Sequence, residues 1–364
     1  MACAPNPADI GPGSASSTDA GTAAPTTGAT TGASTESVTE TGSTGAPVIG
    51  LRLHQLQAMG THNSYHISSG KSVKDLNYTH KPVPEQLANG VRQFEFDINF
   101  KAPGEPIEVY HLGLLDEMSN CPQLKDCLQG IRGWSDEHPG HHLVYVMLEF
   151  KTAYNAVLGD ELLATLEQEL LAVWPCERIV TPGEIQGDAA TLRDGLAANG
   201  WPTIEASRGK ILLVLHDSGK WRDSYIEQGV AAGLLFPDAF GDLMAPFAAV
   251  HTLNDPTGDA DAIAAAVDAG HLVRTRADSD NVEPFAGDYT RATAALASGA
   301  TFISTDYPGR GRLRVRGPRR HALALQPAQR PAGLHPRRDR GALSLDRGST
   351  SLLRRQRLGA RMTC

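Results

Sequence analysis

Six side chains in the first half of this 364-residue chain are of the types that move protons or hold a cation. His62 and Asn63 stand in Gly60-Thr61-His62-Asn63-Ser64-Tyr65-His66. Glu95 and Asp97 stand in Gln93-Phe94-Glu95-Phe96-Asp97, His111 follows Tyr110, and Glu149 closes the apolar run Val144-Tyr145-Val146-Met147-Leu148. Residues two apart in a strand share a face, so Glu95 and Asp97 project together while Phe94, Phe96 and Ile98 pack the other way. Two carboxylates inside a core strand are costly unless a cation neutralises them. Asn63, Glu95, Asp97 and Glu149 are hard oxygen donors, which suit calcium or magnesium better than zinc. The two histidines are then left for proton transfer. Plainer readings exist for each residue alone: a histidine after a strand is often a polar turn, and Glu149 can pair with Lys151 on the same face. Neither accounts for Glu95 and Asp97.

These residues need strands whose carboxyl ends meet. Alternation and apolar runs predict strands at Leu53–Met59, Arg92–Ile98, Ile107–His111, Leu143–Phe150, Ile211–His216, Ala248–Leu253, Leu272–Arg276 and Thr301–Tyr307, with Gly60 breaking the first. Helices are predicted between most of them. At Gly159–Trp174 one face carries Leu162, Leu163, Leu166, Leu170 and Val173, and Gly270 and Gly299 end helices over Asp259–Ala269 and Asp288–Ser298. Eight strands alternating with helices favour an α/β fold of the (β/α)8 TIM-barrel type, whose active-site mouth lies at the carboxyl ends of the strands. No glycine-rich phosphate loop follows the first strand, which counts against a nucleotide-binding fold.

Composition divides the chain into three. Residues 1–47 are rich in Ser, Thr, Gly, Ala and Pro, and before Val48 they hold no aromatic residue, Lys or Arg, which predicts a disordered linker. Its Ala2-Cys3 start resembles the end of a bacterial lipoprotein signal, as if the beginning were missing, so an exported protein, secreted or lipid-anchored at the cell envelope, is expected. Residues 48–308 form the predicted barrel. From Gly309 the chain has fifteen arginines, no lysine and two acids, so the overall charge of −8 is a body of −21 and a tail of +13. An acidic body argues against a nucleic-acid partner. The tail, 309–364, is read as unstructured or out-of-frame sequence in preference to a basic arm for anionic membranes. Cys121 and Cys127 flank a short loop and can pair in an exported protein, with buried thiols the alternative.

Taken in order, Gly60-Thr61-His62-Asn63-Ser64-Tyr65, Glu95-Phe96-Asp97, Tyr110-His111 and Leu148-Glu149-Phe150 resemble the phosphatidylinositol-specific phospholipase C superfamily, and most closely its bacterial calcium-dependent branch. The resemblance covers residues 50–308 and stops at Tyr307-Pro308, where the arginine-rich tail replaces a continued domain end. It implies a phosphoric diester hydrolase or phosphorus–oxygen lyase acting on phosphatidylinositol at a membrane surface, as a monomer. The inositol 2-hydroxyl would attack phosphorus, diacylglycerol would leave, and a cyclic inositol phosphate would form. It further implies that Asn63, Glu95, Asp97 and Glu149 bind calcium. His62 would hydrogen-bond the developing phosphorane and His111 would act as general acid, with Glu95 or Glu149 as the base. Lys151, Arg274, Arg276 and Tyr307 are candidates to contact substrate. The rival enzymes are a glycerophosphodiester phosphodiesterase and a sphingomyelinase-D-like barrel; the rival of another class is a non-catalytic lipid-binding lipoprotein.

Overall fold

A computed structural model describes residues 50–70, 76–279, 281–309 and 314–315. The strands in chain order are β1 (Leu56–Thr61), β2 (Val91–Asn99), β3 (Glu108–Val109), β4 (Val144–Phe150), β5 (Ile179–Val180), β6 (Ile211–His216), β7 (Leu235–Pro237), β8 (Val250–Thr252), β9 (Leu272–Arg276), β10 (Phe302–Thr305) and β11 (Arg314–Val315). The α-helices are α1 (Val83–Ala88), α2 (Leu124–Glu137), α3 (Gly159–Val173), α4 (Pro182–Gln186), α5 (Leu192–Asn199), α6 (Lys220–Glu227), α7 (Ala260–Asp268), α8 (Val282–Ala286) and α9 (Thr290–Ala297). Among the described residues no helix is long and apolar enough to cross a membrane.

Eight strands pair in parallel in the order β7-β6-β4-β2-β1-β10-β9-β8. Among the described residues, the backbones at the two ends of this curled sheet meet at the bridge Asp238↔Val250 and at the hydrogen bond from Ala239 N–H to the Val250 carbonyl, 3.0 Å. The expected TIM-type barrel is therefore present, with one thin seam. One of its strands was misplaced by sequence reasoning. Residues 107–111 give β3, a two-residue antiparallel partner of β2 (Ile98↔Val109), and the eighth parallel strand is β7. A three-residue strand ending in proline carries too little alternation to be read as one.

The first strand also starts later than expected, after a 3-10 turn at Leu53–Gln55, and runs through Gly60 to Thr61. Gly60 does not break it. A Cβ there would lie 1.9 Å from the Gln93 Oε1 and 2.9 Å from the Gln93 Cβ, so glycine lets the Gln93 side chain cross against β1 where the β1–β2 register shifts.

Side-chain parity sorts the core. Phe94, Phe96 and Ile98 of β2, Val146 and Leu148 of β4, and Leu213 and Leu215 of β6 face α2 and α3 in one apolar cluster. Burial of each large apolar side chain stabilises by about 1.5–3 kcal/mol. Tyr145 and Met147 of β4, Leu212 and Val214 of β6, Leu272 of β9 and Phe302 of β10 fill the barrel interior. Continued by two residues at a time toward the carboxyl ends, the interior columns become polar: Glu95 and Asp97, Glu149, His216, Arg274 and Arg276.

The linker of residues 1–47 and nearly all of the tail of 309–364 lie outside the described residues. Within that tail, Arg314 and Val315 pair antiparallel with Gln57 and Leu56. Cys121 and Cys127 form a disulfide with Cα atoms 5.1 Å apart, joining the loop after β3 to the first turn of α2.

Candidate active site

The turn after β1 is fastened on every side. The Ser64 hydroxyl accepts from the Glu95 N–H at 2.9 Å, and His80 Nε2–H donates to the His62 carbonyl at 2.8 Å. Asn63 takes φ +42°, a left-handed conformation that asparagine tolerates better than most residues. His62 is thereby held with its ring partly open to solvent. Its Nδ1 lies 2.8 Å from Asp306 Oδ1, while Asp306 Oδ2 accepts from Arg276 Nη2 at 3.0 Å. A carboxylate on Nδ1 puts the ring proton there and leaves a lone pair on Nε2, with Arg276 Nη1 3.5 Å away. Burial, and then the Arg276 charge, lower the His62 pKa well below its ordinary value, so the ring is neutral at neutral pH.

Behind this pair stands one further acid, Asp278. Asp306 is pushed up by burial despite Arg276. Asp278, which accepts from the Asp306 N–H at 3.1 Å and from the Thr305 hydroxyl, is pushed up to about 7 by burial and by Asp306.

The acidic cluster lies on the neighbouring strands. Asp97 is the register partner of Glu149, and Glu149 is the partner of His216. Lys151 Nζ sits 3.0 Å from Asp97 Oδ2 and 2.6 Å from Glu149 Oε1, and Arg274 pairs with Glu95 through Oε2. Burial raises the Asp97 pKa well above its ordinary value, and the Glu149 charge adds to this. For Glu95, burial acts upward but Arg274 and then His62 outweigh it, and its pKa is lowered. Lys151 and His216 do the same for Glu149.

The donor chemistry fits a hard divalent cation. Asn63 Oδ1 and Asp97 Oδ1 are buried oxygens with only the Tyr78 and Tyr65 hydroxyls near them to satisfy them, and a cation would satisfy them better. Glu95, Glu149 and His216 each offer a donor atom within 4.8 Å of the others. His216, which the sequence does not single out, belongs to this grouping; Asp97 stands outside it, against Lys151.

His111 is not at the end of a barrel strand as expected. It lies in the loop after β3, where its Nδ1 is 3.3 Å from Asp116 Oδ2, and Asp116 Oδ1 also meets the fully buried His66 Nε2 at 3.0 Å. Burial, and then Lys151, lower the His111 pKa. Leu112 and Asp116 close this turn with reciprocal backbone hydrogen bonds of 3.1 and 2.8 Å. Its tip is apolar and open: Leu114 is 95% exposed, Leu115 70% and Met118 48%.

Of the four candidate substrate contacts, Arg276 and Lys151 stand beside His62 and the acids. Arg274 is buried and engages Glu95 and Asn254. The Tyr307 hydroxyl donates to Asn281 at 2.7 Å. The carboxylates that orient the two catalytic candidates, Asp306 and Asp116, were not assigned that part from sequence. Asp306 had a signal, since it continues the interior parity of β10.

Two imidazoles, each with a carboxylate at Nδ1, thus stand in a parallel barrel that also holds a buried acidic cluster. The sequence model for phosphoinositide phospholipase C, Ca2+-dependent, matches residues 51–105 and 99–317, and the chain belongs to that family. Among solved structures, it resembles a calcium-dependent phosphoinositol-specific phospholipase C from a Pseudomonas species, with 18% identity over 73% of this chain and 96% of that one and a TM-score of 0.57. It also resembles a Ca2+-dependent phosphatidylinositol-specific phospholipase C from Streptomyces antibioticus, with 22% identity over 70% and 95% and a TM-score of 0.51. At this identity both support the fold. A comparison with curated protein sequences finds no match.

Proposed function

We propose that the protein cleaves phosphatidylinositol, in a calcium-dependent reaction, to diacylglycerol and a cyclic inositol phosphate. One observation carries this reading: His62 is held through Nδ1 by Asp306 at 2.8 Å, and a second imidazole, His111, has Asp116 3.3 Å from its Nδ1, so each ring keeps its Nε2 for proton transfer. A binding protein has no use for such a pair.

We assign the division of labour differently from what the resemblance implies. Glu95 and Glu149 each have an oxygen tied to Arg274 or Lys151, which counts against either as the general base. His62, with its proton on Nδ1 and its Nε2 lone pair met only by Arg276 Nη1 at 3.5 Å, is assigned to accept the inositol 2-hydroxyl proton. Arg276, beside it, is placed to pair with the phosphoryl oxygens. His111 donates the proton that the departing glycerol oxygen needs. Asn63, Glu95, Asp97 and Glu149 would hold calcium, which when bound lowers the pKa of a hydroxyl and offsets charge on phosphoryl oxygens.

The apolar turn beside His111 supports a lipid substrate. Exposed leucines there gain by meeting acyl chains. The Cys121–Cys127 disulfide supports export, because such bonds persist in oxidising compartments. The test is a substrate panel of phosphatidylinositol, glycerophosphocholine and sphingomyelin, with and without chelator. Calcium-dependent release of diacylglycerol from phosphatidylinositol alone is expected. Preferential turnover of glycerophosphocholine or sphingomyelin overturns the assignment.

A further inference from the structure

His216 has a setting that the proton-transfer pair does not explain. It ends β6, beside Glu149 on β4, with its ring on the interior column of the barrel. Its Nδ1 lies 2.8 Å from Oδ2 of the fully buried Asp238. Asp238 cannot turn away, because its Oδ1 accepts the backbone N–H groups of Phe240 at 2.9 Å and Thr252 at 3.0 Å. On the other side the Phe240 ring lies against the imidazole with centroids 5.0 Å apart. Phe240 takes φ +45°, which a bulky residue adopts only when its surroundings impose it.

A histidine that donates Nδ1–H to a fixed carboxylate has a defined tautomer and an Nε2 lone pair of raised basicity, the arrangement that recurs behind metal-bound imidazoles. The 4.8 Å spread of the donors of Glu95, Glu149 and His216 is what one ion can span at ligand distances of about 2.1–2.5 Å. Each carboxylate keeps an oxygen for it, since Arg274 engages only Oε2 of Glu95 and Lys151 only Oε1 of Glu149.

We propose that His216, oriented by Asp238, is a nitrogen ligand of the cation site, which is therefore a mixed nitrogen–oxygen site that also takes manganese or zinc. The proposal rests on the cation site of the preceding reading. Imidazole favours first-row transition ions over calcium, so the site should hold zinc and manganese more tightly than an all-oxygen set would. Replacing the imidazole by an amide oxygen should erase that preference while keeping calcium.

The direct test is pulsed electron paramagnetic resonance of the full chain, stripped by chelator and loaded with manganese, compared with His216→Gln. Nitrogen modulation from a coordinated imidazole is expected in the native protein and absent from the variant. Metal competition should show the zinc-over-calcium preference falling by about 10–100-fold in His216→Gln and in Asp238→Asn. If His216→Gln does not fold, His216→Asn provides the same comparison. Bound manganese without nitrogen modulation, or modulation that survives loss of His216, overturns the proposal while leaving calcium-dependent cleavage intact. Failure to bind either calcium or manganese overturns both.

Discussion

Asp306→Asn isolates what the carboxylate behind His62 does. In the native protein Asp306 accepts from His62 Nδ1 at 2.8 Å and from Arg276 Nη2 at 3.0 Å. An asparagine of the same shape can turn its NH2 toward Nδ1, which moves the ring proton to Nε2 and removes the lone pair that accepts the substrate proton. Loss of a positioned proton-transfer group costs about 10²–10⁴-fold, or about 2.7–5.4 kcal/mol of transition-state stabilisation. Stability should fall less than the loss of one partner of a buried ion pair usually implies. Asp278 lies 3.8 Å from Arg276 and is held near neutral partly by the Asp306 charge; once that charge is gone, Asp278 ionises more readily and pairs with Arg276. The assay is turnover of a water-soluble inositol phosphodiester at pH 7, alongside a thermal melt. Folded Asp306→Asn with kcat within about threefold of native would refute the tautomer argument.

Three further outcomes are expected. Chelation should lower the melting temperature and calcium restore it, because an ion bound only to the folded state stabilises by mass action and relieves the repulsion among Glu95, Asp97 and Glu149; an unchanged melt counts against the cation site. Leu114→Ser with Leu115→Ser should reduce turnover of phosphatidylinositol in vesicles at least about tenfold while leaving the soluble phosphodiester unaffected, since burying two leucines in lipid is worth about 3–6 kcal/mol at most; equal losses on both substrates would place the turn in catalysis and not at the interface. Stability should fall as pH drops from about 6.5 to about 4, by up to about 3 kcal/mol, through the His251–His271 pair. Burial holds each of these histidines at about 4, so the unfolded chain binds more protons in that window. The Gly241 N–H donates to His251 Nδ1, and His251 Nε2–H donates to His271 Nδ1 at 2.7 Å, so a proton on either acceptor breaks a bond. Denaturation curves at pH 4, 5 and 6.5 check this, with His271→Asn flattening the trend.

Much of the barrel was legible because its strands obey a period of two. The alternation that puts Phe94, Phe96 and Ile98 outward also puts Glu95 and Asp97 inward, and seven of the eight parallel strands followed from such runs. The same rule points to His216, two residues past Val214 on the inner face, and to Asp306, two past Ser304. Neither is decisive on sequence alone: a single histidine at a strand end is most often ordinary, and Asp306 can touch a sugar or merely cap its strand. The missing strand β7 is three residues long and the seam it forms with β8 is a single bridge, so no local pattern marks it. Asp116 could not be found that way at all. It reaches His111 and His66 through a tight turn across fifty residues of chain from His66, and only the folded loop brings them together.

The most direct test of the central claim is phosphorus NMR of the water-soluble product formed from phosphatidylinositol in 18O-labelled water. Internal attack by the inositol 2-hydroxyl, with His62 taking its proton and His111 protonating the leaving group, predicts that a cyclic inositol phosphate without 18O appears first. An acyclic phosphate carrying 18O from the earliest time point, with no cyclic species before it, would contradict the account.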